Sequence, residues 1–370
     1  MARTTADTGT DPQPPAQDGT APPARRRRRV WRVTVLVLLT GLLALGGGAW
    51  WMYQDLNGNL DNVDLDRALG GDRPGKQPAA GRNILLVGSD SRAGENAELD
   101  GGKVAGARSD TALVIHLPPG GERATAVSIP RDTLVTRPAC TTDAGRELPE
   151  AERVMFNSVY GTGGPACVVR TVEALSGIRM DHYVEIDFAG FREVVDALGG
   201  VTVTTREPIA DRATGLRLDA GTHRLDGEEA LRFVRTRYGV GDGSDLGRIE
   251  LQQQFLTAVV AEVRQQGILT SPAKLYRVAD AATEALTTDS GLGTLTDLAD
   301  FGRSLEGVDP ATMETLTLPV RPDARDPNRV VTVKERADAV WQALRDGTPV
   351  PEAARASAGG EEGGGEGSGS

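Results

Sequence analysis

The stretch NILLVGSDSR at residues 83–92 decides how this chain is read. Its first half, NILLVG (83–88), is a short apolar run closed by glycine, the pattern of a buried strand. Two similar runs follow, TALVIHL (111–117) and RATAVSIP (123–130), separated by the turn PPGGE. Helical spacing then appears over 165–176 and 187–198, the second closed by Gly199 and Gly200 as a C-cap. VTVTT (201–205) reads as a strand, and GEEALRFVRTR (227–237) and GRIELQQQFLTAVVAEVRQQG (247–267) read as helices. Helical stretches follow Ser271-Pro272 and recur near 294–305. TLTLPV (315–320) is a late strand, and VKERADAVWQALRDG a closing helix. This alternation, with several crossovers between strands, predicts an α/β or α+β sandwich.

Upstream, residues 1–32 form a polar tail rich in Asp, Pro and Thr that ends in the basic run Arg25–Arg29, a segment expected to be disordered. Residues 33–54 carry no charge. Their core, VTVLVLLTGLLALGGGAWWMY, is long enough to cross about 30 Å of hydrocarbon, with Trp50, Trp51 and Tyr53 placed for an aromatic belt. A cleaved signal peptide would have a shorter apolar run and a small-residue cleavage site, which Trp-Trp-Met-Tyr is not. Arginines before the span and Asp55, Asp61, Asp64 and Asp66 after it predict a single-pass membrane protein with a cytoplasmic N-terminus and an extracellular domain. Residues 55–81, dense in Gly, Pro and Asp, read as a linker; 82–348 read as the folded domain, and 349–370 as a disordered Gly/Glu-rich tail.

The 370 residues carry a net charge of −11, with 39% hydrophobic and 25% charged residues, which suits a globular core. The tail before the span contributes +4, so the remainder stands at −15. That balance gives no basic footprint for nucleic acid. Two cysteines exclude a disulfide-dense scaffold and a four-cysteine zinc site. Cys140 and Cys167, 27 apart in an oxidising compartment, are expected to pair and to staple the loop after the third strand to the helix beginning near Pro165. His116, His182 and His223 show no metal-ligand spacing, and neither a GxSxG elbow nor a Walker loop is present.

Chemistry concentrates where strands end. Asp90 follows the first run, Arg108 and Asp110 precede the second, and Arg131 and Asp132 follow the third. One such Asp is an ordinary turn residue, but three on neighbouring strands suggest carboxylates for a hard cation and arginines for phosphate. Farther on, FVRTRYGVGDGSDLGRIELQQ (233–253) sets Arg235 and Arg237 before a glycine-rich loop, then Asp245, Arg248 and Gln252 at the start of a helix. A cation near a helix N-terminus runs against the dipole, so Arg248 there suits an anionic ligand.

Taken in order, the blocks NILLVGSDSR, RSDTALVIHL, VSIPRDT, FNSVYGTGGP, HYVEIDFAGFREVVDALGGV, LDGEEALRFVRTR and GDGSDLGRIELQQ resemble the LytR–CpsA–Psr family of bacterial cell-wall proteins over about residues 83–345. The resemblance implies an α-β-α sandwich with a central mixed sheet. It also implies a phosphotransferase that moves a glycopolymer from a polyprenyl-pyrophosphate carrier to peptidoglycan at the cytoplasmic membrane. The family's motif positions fall on Asp90, Arg108, Asp110, Arg131, Arg235, Arg237, Arg248 and Gln252. Asp90 and Asp110 would hold Mg²⁺ (or Mn²⁺), and one carboxylate would take the proton of the acceptor hydroxyl. Asp90, Asp110, Arg131 and Arg248 would carry catalysis. The arginines with Gln252 would bind the pyrophosphate, and an apolar tunnel would take the polyprenyl chain. Two positions depart from the pattern: Leu251 stands where the family has arginine, and Met155 where a basic residue is common. The same residues would also serve a polyprenyl-pyrophosphate phosphatase using water, or a non-catalytic lipid-carrier-binding or regulatory protein.

Overall fold

The computed structural model describes residues 24–76, 81–89, 109–120, 123–142, 144–237, 245–268, 271–305 and 307–355. By its contacts the chain divides into two units, residues 1–54 and 55–370. Helix α1 (Ala24–Gly58) begins one residue before the basic run. Residues 24–32, expected to be disordered, are therefore helical, in keeping with arginine's strong helix propensity. Residues 1–23 lie outside the described residues. Within Thr34–Gly58 an 18-residue window reaches a mean hydropathy of 1.8, and among the described residues this is the one helix long and apolar enough to cross a membrane.

The second unit continues as β1 (Asp61–Val63), α2 (Leu65–Leu69), β2 (Arg82–Ser89), β3 (Ser109–Leu117), β4 (Thr125–Ser128), β5 (Leu134–Arg137), β6 (Cys140–Thr141), β7 (Glu147–Leu148) and β8 (Ala151–Met155). Next come α3 (Phe156–Ser176), β9 (His182–Asp187), α4 (Phe188–Ala197), β10 (Val201–Thr205), β11 (Ile209–Asp211), β12 (Leu216–Leu218), β13 (Gly221–Leu225), α5 (Gly227–Arg235) and α6 (Asp245–Gln265). The unit closes with α7 (Pro272–Ala285), β14 (Leu286–Asp289), α8 (Leu295–Leu305), β15 (Glu314–Thr317), β16 (Val320–Pro322), β17 (Val330–Thr332), α9 (Lys334–Asp346) and α10 (Glu352–Arg355).

Seven strands form one sheet in the order β1-β14-β9-β2-β3-β4-β15. It is mixed: β2 runs parallel to β9 but antiparallel to β3, and β4 runs parallel to β15. Strand alternation sends successive apolar residues to opposite faces. Leu85, Val87, Val114 and Val127 pack on one face with Val168 of α3 and Trp341 of α9. Ile84, Leu117 and Val184 pack on the other with Leu298 and Phe301 of α8. A third cluster joins Val195 of α4, Val203 of β10, Phe233 of α5 and Phe255 of α6. The architecture is the α-β-α sandwich.

Two boundaries differ from the sequence reading. Residues 55–81, expected as a linker, contribute folded structure up to residue 76. β1 is an edge strand of the main sheet, paired with β14, and Leu65 and Leu69 of α2 are buried in the core. Arg73 anchors the same segment through a buried ion pair, its Nη2 lying 2.7 Å from Oε1 of Glu173. At the other end, the expected tail remains folded to Arg355. Val350 and Ala354 enter the core, and Arg355 pairs with Glu314 at 2.8 Å. Leu56, Leu60, Leu65 and Leu69 provide the burial in the first segment, and Val350 and Ala354 in the second.

Helix α3 also starts earlier than its predicted first residue, 165. The turns before Pro165 are weak helix formers, and the helix bends at Gly164, which adopts φ 75°, a conformation open to glycine. Cys167 just beyond this bend forms a disulfide with Cys140 of β6, with Cα atoms 5.5 Å apart. The bond ties the strands after β4 to α3, the linkage the cysteine spacing predicts.

Candidate functional site

Strand pairing assembles the site edge. Ser89 at the end of β2 is the register partner of Ser109 at the start of β3 and of Asp187 at the end of β9. The chain leaving β4 continues that edge, since the Ile129 N–H donates to the Ala112 carbonyl at 2.9 Å. Asp110 lies at the start of β3 rather than at a strand end, Asp132 lies four residues beyond the last residue of β4, and Asp90 lies outside the described residues. The antiparallel pairing of β2 with β3 brings that start to the edge where β2 and β4 end.

Helix α5 delivers two of the expected arginines. Its start is fixed by a capping box in which the Asp226 carboxylate accepts the Glu229 N–H at 2.9 Å. Phe233 is fully buried, and Arg232 and Arg235 occupy the last turn, where the dipole favours cations. The predicted helix reached residue 237, but it ends at Arg235, with Thr236 extended at φ −63° and ψ 134°. Arg235 and Arg237 therefore flank a fully buried threonine on an extended segment.

Helix α6 supplies the rest. Arg248 in its first turn is 3% exposed, and Gln252, one turn on, donates to the Val234 carbonyl at 3.1 Å. Gln253 reaches Ser128 of β4 at 2.9 Å, which docks α6 on the sheet.

These elements enclose a cavity of about 610 Å³ lined by Arg232, Arg235, Arg237 and Arg248 together with Asp211, Glu228 and Gln252. Four guanidinium groups face two carboxylates, an excess of positive charge in a domain that is acidic overall. Beside it lies an apolar cavity of about 220 Å³, walled by residues such as Leu113, Ile186, Phe191, Val195, Phe255 and Val259. Thr111, Phe188, Leu231, Val234 and Gln252 line both. The arrangement accommodates a ligand with an anionic head and an apolar chain.

The structure thus brings Arg235, Arg237, Arg248 and Gln252 around one cavity. Arg131 lies on the same sheet edge, three residues beyond Ser128, and its Nε is 3.4 Å from Oδ2 of Asp132. The other oxygen of Asp132 is 3.3 Å from Nη1 of Arg329. The backbone of Asp110 is in β3; its side chain, with Asp90 and Arg108, lies outside the described residues. Leu251 is buried in the apolar cluster of α6 rather than turned to the cavity. Met155 precedes α3, where it pairs with Leu134 across β8 and β5.

Sequence reasoning missed Phe188, whose ring lies 4.5 Å beneath the Arg235 guanidinium, and Arg232, Asp211 and Glu228. Phe188 sits in the quoted block HYVEIDFAGF and Arg232 in LDGEEALRFVRTR, so both were within reach. Asp211 on a three-residue strand carried no local signal.

The protein is thus a mixed α-β-α sandwich with an arginine-lined cavity beside an apolar one. The chain belongs to the LytR_cpsA_psr family, whose pattern matches residues 52–346. It is 34% identical over 295 residues to the probable cell wall biosynthesis protein LcpB of Corynebacterium glutamicum, covering 76% of this chain and 64% of that protein. It is 30% identical to the polyisoprenyl-teichoic acid–peptidoglycan teichoic acid transferase TagU of Oceanobacillus iheyensis, covering 69% and 75%. Among solved structures, the LytR-Csp2A-Psr enzyme from Actinomyces oris superimposes with a TM-score of 0.57 at 26% identity, over 77% of this chain and 96% of that one. The chain spans 64% and 58% of the length of two curated C. glutamicum relatives, LcpB and LcpA.

Proposed function

We propose that this chain is a membrane-anchored, extracytoplasmic phosphotransferase that moves a glycopolymer from a polyprenyl-pyrophosphate carrier to peptidoglycan. The observation that carries the reading is the shared wall between the arginine-lined cavity and the apolar one. A polyprenyl pyrophosphate has the two chemistries that such a pair accepts. The names of relatives that cover most of the domain, teichoic acid transferases among them, support the same class of reaction. The basic run before the apolar helix supports a cytoplasmic N-terminus and an outer domain.

In the reaction, an acceptor hydroxyl oxygen attacks the phosphorus bound to the glycan. The bond from that phosphorus to the bridging oxygen breaks, and polyprenyl phosphate leaves. Charge on the phosphate oxygens dominates the barrier, so Arg235, Arg237 and Arg248 act by position and electrostatics. Arg131, on the neighbouring turn, would reach the same group from the sheet side. Asp90 or Asp110 would accept the hydroxyl proton. Carboxylate oxygens are the donors a hard cation takes, and Asp90 and Asp110, which in sequence follow β2 and open β3, would hold Mg²⁺ (or Mn²⁺) to neutralise phosphate charge. Confinement to the membrane surface suits a lipid-borne donor.

The test is transfer by the purified full chain in detergent, with a polyprenyl-pyrophosphate glycan and peptidoglycan. Arg235→Ala and Arg248→Ala should each lower the rate tenfold or more, about 1.4 kcal/mol per lost contact. Undiminished transfer in both would overturn the assignment.

A further inference from the structure

We infer that Asp211, with Thr214 of the same β11–β12 hairpin, is a positioning residue that sets the phosphate-binding arginines, an inference that rests on the function proposed above. Asp211 is 2% exposed yet lines the arginine cavity. A buried carboxylate costs free energy unless its oxygens are hydrogen-bonded. Both are. Oδ2 accepts the backbone N–H of Arg237 at 3.0 Å, and Oδ1 accepts that of Ala213 at 2.7 Å. One side chain therefore closes its own hairpin and holds the backbone of an arginine 26 residues away.

The second tie lies one residue earlier. Thr236 is fully buried between Arg235 and Arg237, and its hydroxyl is 3.1 Å from that of Thr214. It also donates to the Arg232 carbonyl at 2.8 Å, which ends α5 at this point. Thr236 and Arg237 lie beyond the last helical residue, Arg235, and belong to no strand among the described residues; the Thr236 N–H donates to the Phe233 carbonyl at 3.2 Å, and no helix or sheet ladder continues past it. Asp211 and Thr214 supply the missing constraint from one side, and Gln252 supplies it from the other through the Val234 carbonyl. Guanidinium groups that are already placed bind an anion without an ordering cost, so the hairpin contributes affinity without touching the phosphate itself. Asp211 also adds negative charge to a cavity wall that carries four arginines.

A double-mutant cycle tests this, read as the affinity of the full-length detergent-solubilised chain for inorganic pyrophosphate by calorimetry, well below each variant's melting temperature. Asp211→Asn should weaken binding fivefold or more. The Asp211→Asn, Arg237→Ala double variant should bind no more weakly than Arg237→Ala alone, because Asp211 acts through that arginine. Thr214→Val, which keeps the carboxylate and so guards against a misfolded Asp211 variant, should also weaken binding, and Thr214→Ser should restore it. Losses that simply add, or wild-type affinity in Asp211→Asn and Thr214→Val while Arg237→Ala is weakened, would overturn the positioning role and leave the phosphate site standing. Wild-type affinity in Arg237→Ala would overturn the phosphate site and this inference with it.

Discussion

The guanidinium of Arg235 sits 4.5 Å above the ring of Phe188, at the wall where the cationic and apolar cavities meet. The ring's electron-rich face holds the cation while its edge remains apolar, so one aromatic residue serves both compartments. Phe188→Leu should keep the apolar wall and lose the cation–π contact, weakening pyrophosphate binding by about 1 kcal/mol, roughly fivefold. Calorimetric titration with inorganic pyrophosphate measures this directly.

Leu251 stands where the family pattern has arginine, but it is 4% exposed among Val195, Phe233 and Phe255. Its side chain fills the core, not the cavity. Leu251→Arg should destabilise the domain by about 2 kcal/mol or more through burial of an unpaired charge, with no gain in pyrophosphate affinity. Thermal unfolding and titration of the same variant separate the two effects.

The Cys140–Cys167 bond closes a loop of 27 residues. Its loss should cost about 3 kcal/mol, chiefly by freeing the unfolded chain. Neither cysteine lines the arginine cavity, so Cys140→Ser with Cys167→Ser should lower the melting temperature while pyrophosphate affinity at low temperature stays unchanged.

Asp289, at the end of β14, lines neither the arginine cavity nor the apolar one. Burial would raise its carboxyl pKa, but hydrogen bonds from His182, the Tyr183 N–H and the Gly291 N–H outweigh that and hold it below the ordinary carboxylate value. A depressed native pKa stabilises the fold above the unfolded value of about 3.9 and loses that contribution as pH falls through the native one. Acid unfolding followed by near-ultraviolet circular dichroism should therefore be shallower below about pH 4 in Asp289→Asn.

The fold was legible where apolar runs are dense. NILLVG and TALVIHL became neighbouring strands because continuous burial on both faces leaves a composition signal. β1 left none: Asp-Asn-Val is mostly polar, and its partner, β14, lies more than 220 residues away. Three of the cavity's four arginines, Arg235, Arg237 and Arg248, were legible from their clustering about one loop. Asp211 was not, because a hydrogen bond to a distant backbone is made only by the tertiary fold, and the block that holds Phe188 did not show that its ring lies beneath Arg235.

The central claim is transfer itself. The purified full-length chain would be given a polyprenyl-pyrophosphate glycan labelled in the sugar, together with peptidoglycan, and the wall fragments released by muramidase would be analysed by mass spectrometry. The account predicts labelled glycan joined to a muropeptide through a phosphodiester, formed by the wild type and reduced at least tenfold in Arg235→Ala and Arg248→Ala. Free glycan phosphate with no muropeptide adduct, or equal adduct from all three proteins, would contradict it.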